Sequence, residues 1–439
     1  GSIAVLQLFD VPALLNIPYR QALALTIVII GCLGAVYAVF GGLRAVAVSD
    51  TLNGIGLLVI GLAVPILGLS ALGQGSIGDG LYTVANSHTE KLNAIGSEFD
   101  PTPFATLFTG MIFANLFYWC TNQYVIQRTL AAKNLAEGQK GVLFSGFFKV
   151  LVPFMMMLPG VIAYHLYGGV GEVGGLASID LAYPRLIRDV LPIEATGFFL
   201  AVLLGAVFSS FNSLLNSAAT LFCLDVYLPY KESRGHAQID DGQLLRVAKR
   251  ASLVIALFSF IVAPLLQFAA DGLWQVIRVF TGFYNIPIIA IVIVGLFTRH
   301  VPALGPKVVI VFHVLAYGLL QFVFKQSVDI HFLHLYAILF VIEVGILFVV
   351  GKMYPRSSPW VYSTTSKVDM QPWFYAVPCA ATLMSCVIAL YLLFSPIGMV
   401  GGLSDLFWPL IYVLIGLNIL LWWHFLIRKS KVTANTEFS

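Results

Sequence analysis

QALALTIVIIGCLGAVYAVF, residues 21–40, is the first in a series of apolar runs that continues along the whole chain. About twenty such residues, coiled as a helix, cross the ~30 Å hydrocarbon core of a bilayer. After an apolar stub at 2–9, the runs fall at 21–40, 46–73, 103–127, 141–166, 195–227, 249–268, 273–297, 305–324, 331–350, 373–394 and 403–427. This pattern predicts an all-α, multi-span membrane protein with the lipid bilayer as its surroundings. The longer loops are 74–102, 167–194, 228–248 and 351–372, and no soluble domain is expected. Composition agrees, because 59% of the residues are hydrophobic and 10% charged, where a soluble domain carries about 25% charged residues.

Several classes fall away. A net charge of +3, with no basic run longer than RKSK, argues against nucleic acid as a partner. Cys32, Cys120, Cys223, Cys379 and Cys386 stand singly in apolar segments, with neither metal-ligand nor disulfide spacing. No phosphate-binding loop, nucleophile elbow or metalloprotease helix is present, so no enzyme is expected. No signal peptide is visible. The chain begins GSIAVLQLF, without Met and inside an apolar segment. Either Gly1-Ser2 is an added dipeptide or, as expected here, an N-terminal portion is absent.

Lysine and arginine set the orientation. With the 128–140 loop inside, alternation puts Arg44, Arg128, Lys133, Lys140, Lys367, Lys429, Lys431 and most other loop cations on that side. Arg20, Lys91, Arg185, Arg188 and Lys325 fall outside. Lys149 and Arg278 belong to no loop.

Lys149 is placed near mid-span, where a charge costs about 2.5–3.5 kcal/mol on insertion scales. It is either a functional group with a partner or a side chain that snorkels to an interface. In ATLFTGMIFANLFYWCTNQYVIQ, Asn115, Tyr118, Trp119 and Asn122 fall within about a third of the helix circumference, and Gly110 permits an interruption before them. This stripe is either a ligand platform of amides and rings or an aromatic belt with interhelical hydrogen bonds. In GAVFSSFNSLLNSAAT, Ala206, Ser209, Ser210, Ser213, Ser217 and Thr220 share one helical face, flanked by Asn212 and Asn216. Their oxygens suit an alkali cation, while their small size equally suits close helix packing. Arg278, with Gln275 a turn earlier, lies in a segment holding Gly282 and Pro287 that is open to kinking. It can bind a carboxylate or hydroxyls, pair with an acid or anchor at the outer interface. Asp50 follows Gly41-Gly42 and is placed at a helix start, as a cap or on a cation exit path. Glu343 is a buried acid with no evident partner. His165, His313, His331 and His334 show no ligand spacing and are read as interfacial or core.

Three long motifs carry a resemblance: ANLFYWCTNQYVIQRTLAAKNLAEGQKG, GFFKVLVPFMMMLPGVIAY and AVFSSFNSLLNSAATLFCLDVY. With VYAVFGGLRAVAVSDTLN, IVAPLL and FTGF, they make the chain similar to the sodium/solute symporter family, in particular its sugar branch. The resemblance covers residues 5 to 300 well and weakens over the last spans. It implies a five-plus-five inverted-repeat fold with sites near the midplane. Residues 1–73 would be the later helices of an incomplete first repeat, 103–297 the second repeat, 298–427 additional C-terminal helices and 428–439 a cytoplasmic tail.

Carried over by motif, the Ala206 carbonyl and the Ser209 and Ser210 hydroxyls resemble sodium ligands. Asn115 and Lys149 resemble sugar-hydroxyl contacts. Tyr118 resembles a gate ring stacked on the sugar, with Trp119 beside it, and Asp50 an acid linked to sodium release. Arg278 and Asn53 stand where the sugar branch has glutamines, which keeps an anionic sugar, inositol or a carboxylate open. The resemblance implies uptake of a sugar by alternating access, driven by inward sodium flow, with sodium as coupling ion and no other cofactor. The expected location is the cell membrane, a bacterial inner membrane. A transporter-like sensory module is the remaining alternative.

Overall fold

The computed structural model describes residues 1–235, 240–268, 273–325, 327–328, 330–361 and 368–437, and of residues 7, 37–48, 241, 267–268 and 429–437 the backbone alone. Lys367 and the side chains of Arg44, Lys429 and Lys431, used in the charge argument, therefore lie outside the described set. In chain order the helices are α1 (Ser2–Phe9), α2 (Val11–Leu15), α3 (Tyr19–Leu72), α4 (Ile77–Asn86), α5 (Gly110–Cys120) and α6 (Gln123–Leu130). There follow α7 (Leu135–Val150), α8 (Leu158–Tyr167), α9 (Ala182–Val190), α10 (Ile193–Leu221), α11 (Leu228–Ser233) and α12 (Asp241–Val262). The last are α13 (Leu273–Phe297), α14 (Leu304–Gly318), α15 (Phe332–Met353), α16 (Ala376–Leu393) and α17 (Phe407–Glu437). Among the described residues there is no strand. Nine helices there are long and apolar enough to cross a membrane, or ten if the broken pair Leu135–Val150 and Pro153–Tyr167 is one span.

Three expectations change. The spans read at 21–40 and 46–73 are one 54-residue helix, α3, so Gly41-Gly42 makes no turn and Asp50 lies within a helix and caps nothing. Two glycines cost a helix only about 1 kcal/mol each, and no proline interrupts α3 before Pro65. At 1.5 Å per residue α3 is about 80 Å long, and its two membrane-length stretches are Tyr19–Val36 and Ser49–Leu72. The run at 103–127 is split into Phe104–Phe108, α5 and α6. Breaks fall at Thr109 and at Thr121-Asn122, residue types whose side chains compete with helical hydrogen bonds. The interruption expected at Gly110 is thus present one residue earlier. The tail from 428 continues α17 as helix to Glu437.

The chain forms two compact units. One comprises Gly1–His88 and Leu151–Leu273, the other Thr89–Val150 and Trp274–Ser439. In the first, α10 lies along α3, and α12 joins them through Leu215, Ala256 and the stacked rings of Phe211 and Phe260. Leu6, Ala22 and Leu23 fasten α1 to α3.

In the second unit, α13, α14 and α15 bury Ile286, Tyr317, Phe332, Leu333, Tyr336 and Leu339, and Met111 and Phe113 of α5 pack on that core. Phe113 stacks on Phe340 with centroids 3.8 Å apart. Interhelical hydrogen bonds join α16 to α17: Asn418 donates to Ser385 Oγ at 2.7 Å and Trp422 Nε1 to Thr382 Oγ1 at 3.0 Å. Small residues admit close approach where lipid offers no hydrophobic drive. A Cβ on Gly110 would meet the Leu333 carbonyl and Tyr336 of α15. Gly110→Ala is expected to destabilise the protein by about 1–3 kcal/mol, read as a lowered midpoint of thermal unfolding in detergent. An unchanged midpoint would show that α5 and α15 separate without cost.

Candidate functional site

The serine stripe of α10 resolves into two parts. Ser213 Oγ donates to the Ser209 carbonyl at 2.9 Å and Thr220 Oγ1 to the Asn216 carbonyl at 2.7 Å, each one turn back along the same helix. These hydroxyls serve their own backbone. Ser209 reaches instead across to α3, where its hydroxyl donates to the Asp50 carboxylate. Two residues singled out separately are thereby brought together, joining a hydroxyl and a carboxylate of two facing helices in one unit. Ala206 is half-buried one turn before Ser209. Ser210 is exposed and makes no hydrogen bond among the described residues. The approach of the helices depends on Gly205, where a Cβ would run into the side-chain amide of Asn53. Asn53 in turn donates to Ser49 Oγ at 3.3 Å, one turn back on α3. Gly205 is a site residue that the sequence reading missed; an isolated glycine in an apolar run carries no sign of what faces it.

In the second unit, α5 carries Met111, Asn115, Tyr118 and Trp119 at helical spacings of three and four, so they line one side. Lys149 closes one end of this stripe. It lies in the last turn of α7, before the break ahead of Pro153, and its Nζ sits 2.7 Å from the centroid of Trp119. Arg278 of α13 closes the other end. Its Nη1 donates to Thr102 Oγ1 at 2.8 Å, its Nη2 approaches Met111 Sδ at 2.7 Å, and its guanidinium lies 5.7 Å from the Phe332 ring. Met111 and Trp119 are eight residues apart, so the stripe between the two cations is about 12 Å long.

Asn115, at its middle, is exposed and makes no hydrogen bond among the described residues. Tyr118 packs edge-on against Trp119 and shares a hydroxyl–hydroxyl hydrogen bond with Tyr124. Asn122 falls in the break before α6 and is not on this helix. Gln275 is turned away, donating to the Pro101 carbonyl at 2.6 Å. Lys149 and Arg278 are thus each matched to a ring or to neutral polar atoms. Glu343, without an evident partner in the sequence, pairs with His313, and both side chains are fully buried. Their separation of thirty residues, on two different helices, left nothing in the sequence to link them.

Helices long and apolar enough to cross a bilayer, presenting hydroxyl, carboxylate, amide, amine and guanidinium groups along their lengths, define a multi-span membrane protein with polar groups inside its spans. The sequence pattern of the Sodium:solute symporter family matches residues 7–306, and the chain belongs to that family. It is 41% identical over 405 residues to the uncharacterized symporter YidK of Escherichia coli (strain K12), covering 92% of this chain and 67% of that protein. It is 34% identical over 288 residues to the sodium/glucose cotransporter of Vibrio parahaemolyticus, 62% of this chain and 52% of the relative. It is 30% identical over 310 residues to the human sodium/myo-inositol cotransporter 2, 63% of this chain and 44% of the relative. The chain therefore spans about half the length of the two named cotransporters. The family and these relatives are transporters, not enzymes.

The contact between Lys149 and Trp119 has a measurable size. A double-mutant cycle with Lys149→Met and Trp119→Ala should give a coupling of about 0.5–1 kcal/mol, as for a cation over an exposed ring, read from unfolding midpoints. Strict additivity would mean the amine snorkels past the ring.

Proposed function

We infer that this chain carries the sodium- and solute-binding helices of a sodium-coupled symporter for a sugar or a closely related polyhydroxy solute. The observation that carries the reading is the Ser209–Asp50 contact between α10 and α3. A hydroxyl already aimed at a carboxylate inside a membrane makes a hard-oxygen locus, with the Ala206 carbonyl and Ser210 hydroxyl within a turn of it. Sodium needs five or six such oxygens, and further ligands come from outside this set. Asp50 supplies the negative charge that would draw sodium along an inward path. On the solute side, Asn115 offers an amide to hydroxyls, Tyr118 and Trp119 offer ring faces, and Lys149 and Arg278 offer donors at the two ends. The cotransport that two relatives are named for, sodium/glucose and sodium/myo-inositol, fits this donor set.

The mechanism is alternating access. Sodium bound from outside favours the solute-competent outward state; the loaded protein isomerises and sodium leaves first. Coupling resides in a difference of sodium affinity between the two states, since a ligand binding both equally shifts nothing. Arg278 favours a second reading in which the solute carries a carboxylate, because a guanidinium binds carboxylates bidentately.

Two measurements on the full-length protein test this. Ser209→Ala and Ser210→Ala should each raise the sodium concentration for half-maximal uptake about tenfold, the worth of one lost ligand of hydrogen-bond strength. Full uptake by the wild type in choline medium ends the sodium assignment. In a competition panel, a neutral sugar or inositol should still displace labelled solute from Arg278→Gln, because the glutamine amide keeps a donor for hydroxyls. An anionic solute that competes only with wild type would establish the second reading.

A further inference from the structure

Near the middle of three membrane-spanning helices of the second unit lies a group the transport reading does not use. His313 of α14 and Glu343 of α15 are both 0% exposed. His313 Nδ1 is hydrogen-bonded to Glu343 Oε1, and His313 Nε2 lies 3.0 Å from the Gly282 carbonyl of α13. The other carboxyl oxygen, Oε2, is buried with no hydrogen-bond partner among the described residues. Two tyrosines extend the arrangement. Tyr317, whose ring stacks on His313 at 5.5 Å, donates to the Val279 carbonyl at 2.9 Å, and Tyr336 donates to the Arg278 carbonyl at 2.6 Å. The carbonyls of Arg278, Val279 and Gly282 are thus each held by a side chain from α14 or α15. A Cβ at Gly282 would occupy the place of the Tyr336 ring and hydroxyl.

Hydrogen-bond stoichiometry limits what the pair can be. The Gly282 carbonyl can only accept, so the Nε2 hydrogen is present. A second hydrogen must lie between Nδ1 and Oε1, because a lone pair facing a carboxylate oxygen would repel it. That hydrogen makes the pair either imidazolium with carboxylate or neutral imidazole with carboxylic acid. The ionised form would leave a fully buried carboxylate with one oxygen unpartnered among the described residues, a costly state. The titratable and charged groups facing the pair do not relieve it. Tyr317 and Tyr336 spend their hydroxyl hydrogens on carbonyls, and the Arg278 guanidinium is directed to Thr102 and Met111. The neutral form leaves only a carbonyl-type oxygen under-satisfied, a milder and commoner defect.

We propose that Glu343 is a carboxylic acid whose O–H donates a hydrogen bond to His313 Nδ1, and that this neutral pair is an intramembrane proton-binding site that positions the Arg278 turn of α13. Glu343 and His313 are positioning residues, acting on solute through the backbone that carries Arg278; that consequence rests on the solute role proposed for Arg278. Loss of the proton would put a bare carboxylate in the bundle and release the clamp at Gly282.

The test uses the full-length protein, purified and reconstituted. The infrared spectrum of the wild type at neutral pH should contain a protonated-carboxyl C=O stretch that is missing from Glu343→Gln. Glutamine also mimics the neutral acid, since its amide can donate to Nδ1. Glu343→Gln should therefore keep the solute KM within about twofold of wild type, while Glu343→Ala, which leaves His313 without its partner, raises it about tenfold. Identical carboxyl bands in wild type and Glu343→Gln would overturn the proposal, as would a Glu343→Gln variant as impaired as Glu343→Ala. Should Glu343→Ala fail to fold, the infrared difference and the Glu343→Gln KM decide alone. Should the wild type show no sodium-driven uptake, the transport reading falls while the infrared band still decides the proton.

Discussion

A polar side chain inside a bilayer core has no water to fall back on, and its partner decides what it is for. Most hydroxyls in the spans turn back on their own helix: Thr26 to the Ala22 carbonyl, Ser213 to Ser209, Thr220 to Asn216, Ser259 to Ile255. Such bonds satisfy the hydroxyl and leave the helix surface small and smooth. A few side chains reach another helix instead, among them Ser209 to Asp50, Asn418 to Ser385, Trp422 to Thr382, and His313 to both Glu343 and Gly282. These fix the register of one helix against the next. The serine stripe of α10 contains both kinds, which is why its spacing alone could not choose between a cation site and a packing face.

Close approach serves the same end. At Gly205 the space a methyl would fill is held by the Asn53 amide, and at Gly110 by the Leu333 carbonyl. In both cases a missing side chain on one helix lets a polar group of its neighbour come in from the lipid. Packing and polar satisfaction are therefore one requirement here. A substitution that adds volume at these positions also displaces a hydrogen-bonding group, so its effect exceeds simple overpacking.

Much of this was legible in the sequence. The spans from α12 to α17 follow from uninterrupted apolar runs whose ends are marked by charge, and the break near Gly110 follows from the clustering of polar residues in one run. The continuity of α3 did not, since Gly41-Gly42 reads as a turn, whereas a helix carries two glycines at only about 1 kcal/mol each. Ser209 and Asp50 were each marked for chemistry, but their meeting depends on the relative rotation of α3 and α10, which periodicity along either helix leaves open. The His313–Glu343 pair was hidden for the same reason. Each residue reads locally as a lone polar intruder, and only the packing of α14 on α15 makes them one group.

On the solute role proposed for the α5 stripe, its two cations would be held in readiness without stranding a charge. Lys149 rests on the face of Trp119, and Arg278 on a hydroxyl and a thioether. These partners are neutral, so among the described residues neither cation is locked into an ion pair that a bound solute would have to break at several kcal/mol. In the proposed site, a sugar hydroxyl would offer an acceptor about as good as the threonine it displaced, and a sugar's apolar face would take the ring that the ammonium left. Exchange of that kind is nearly even in free energy. On that proposal, solute affinity would be set by how well the stripe is held in place, and one end of it, the Arg278 turn, is held by Tyr317, Tyr336 and His313 from the helices behind.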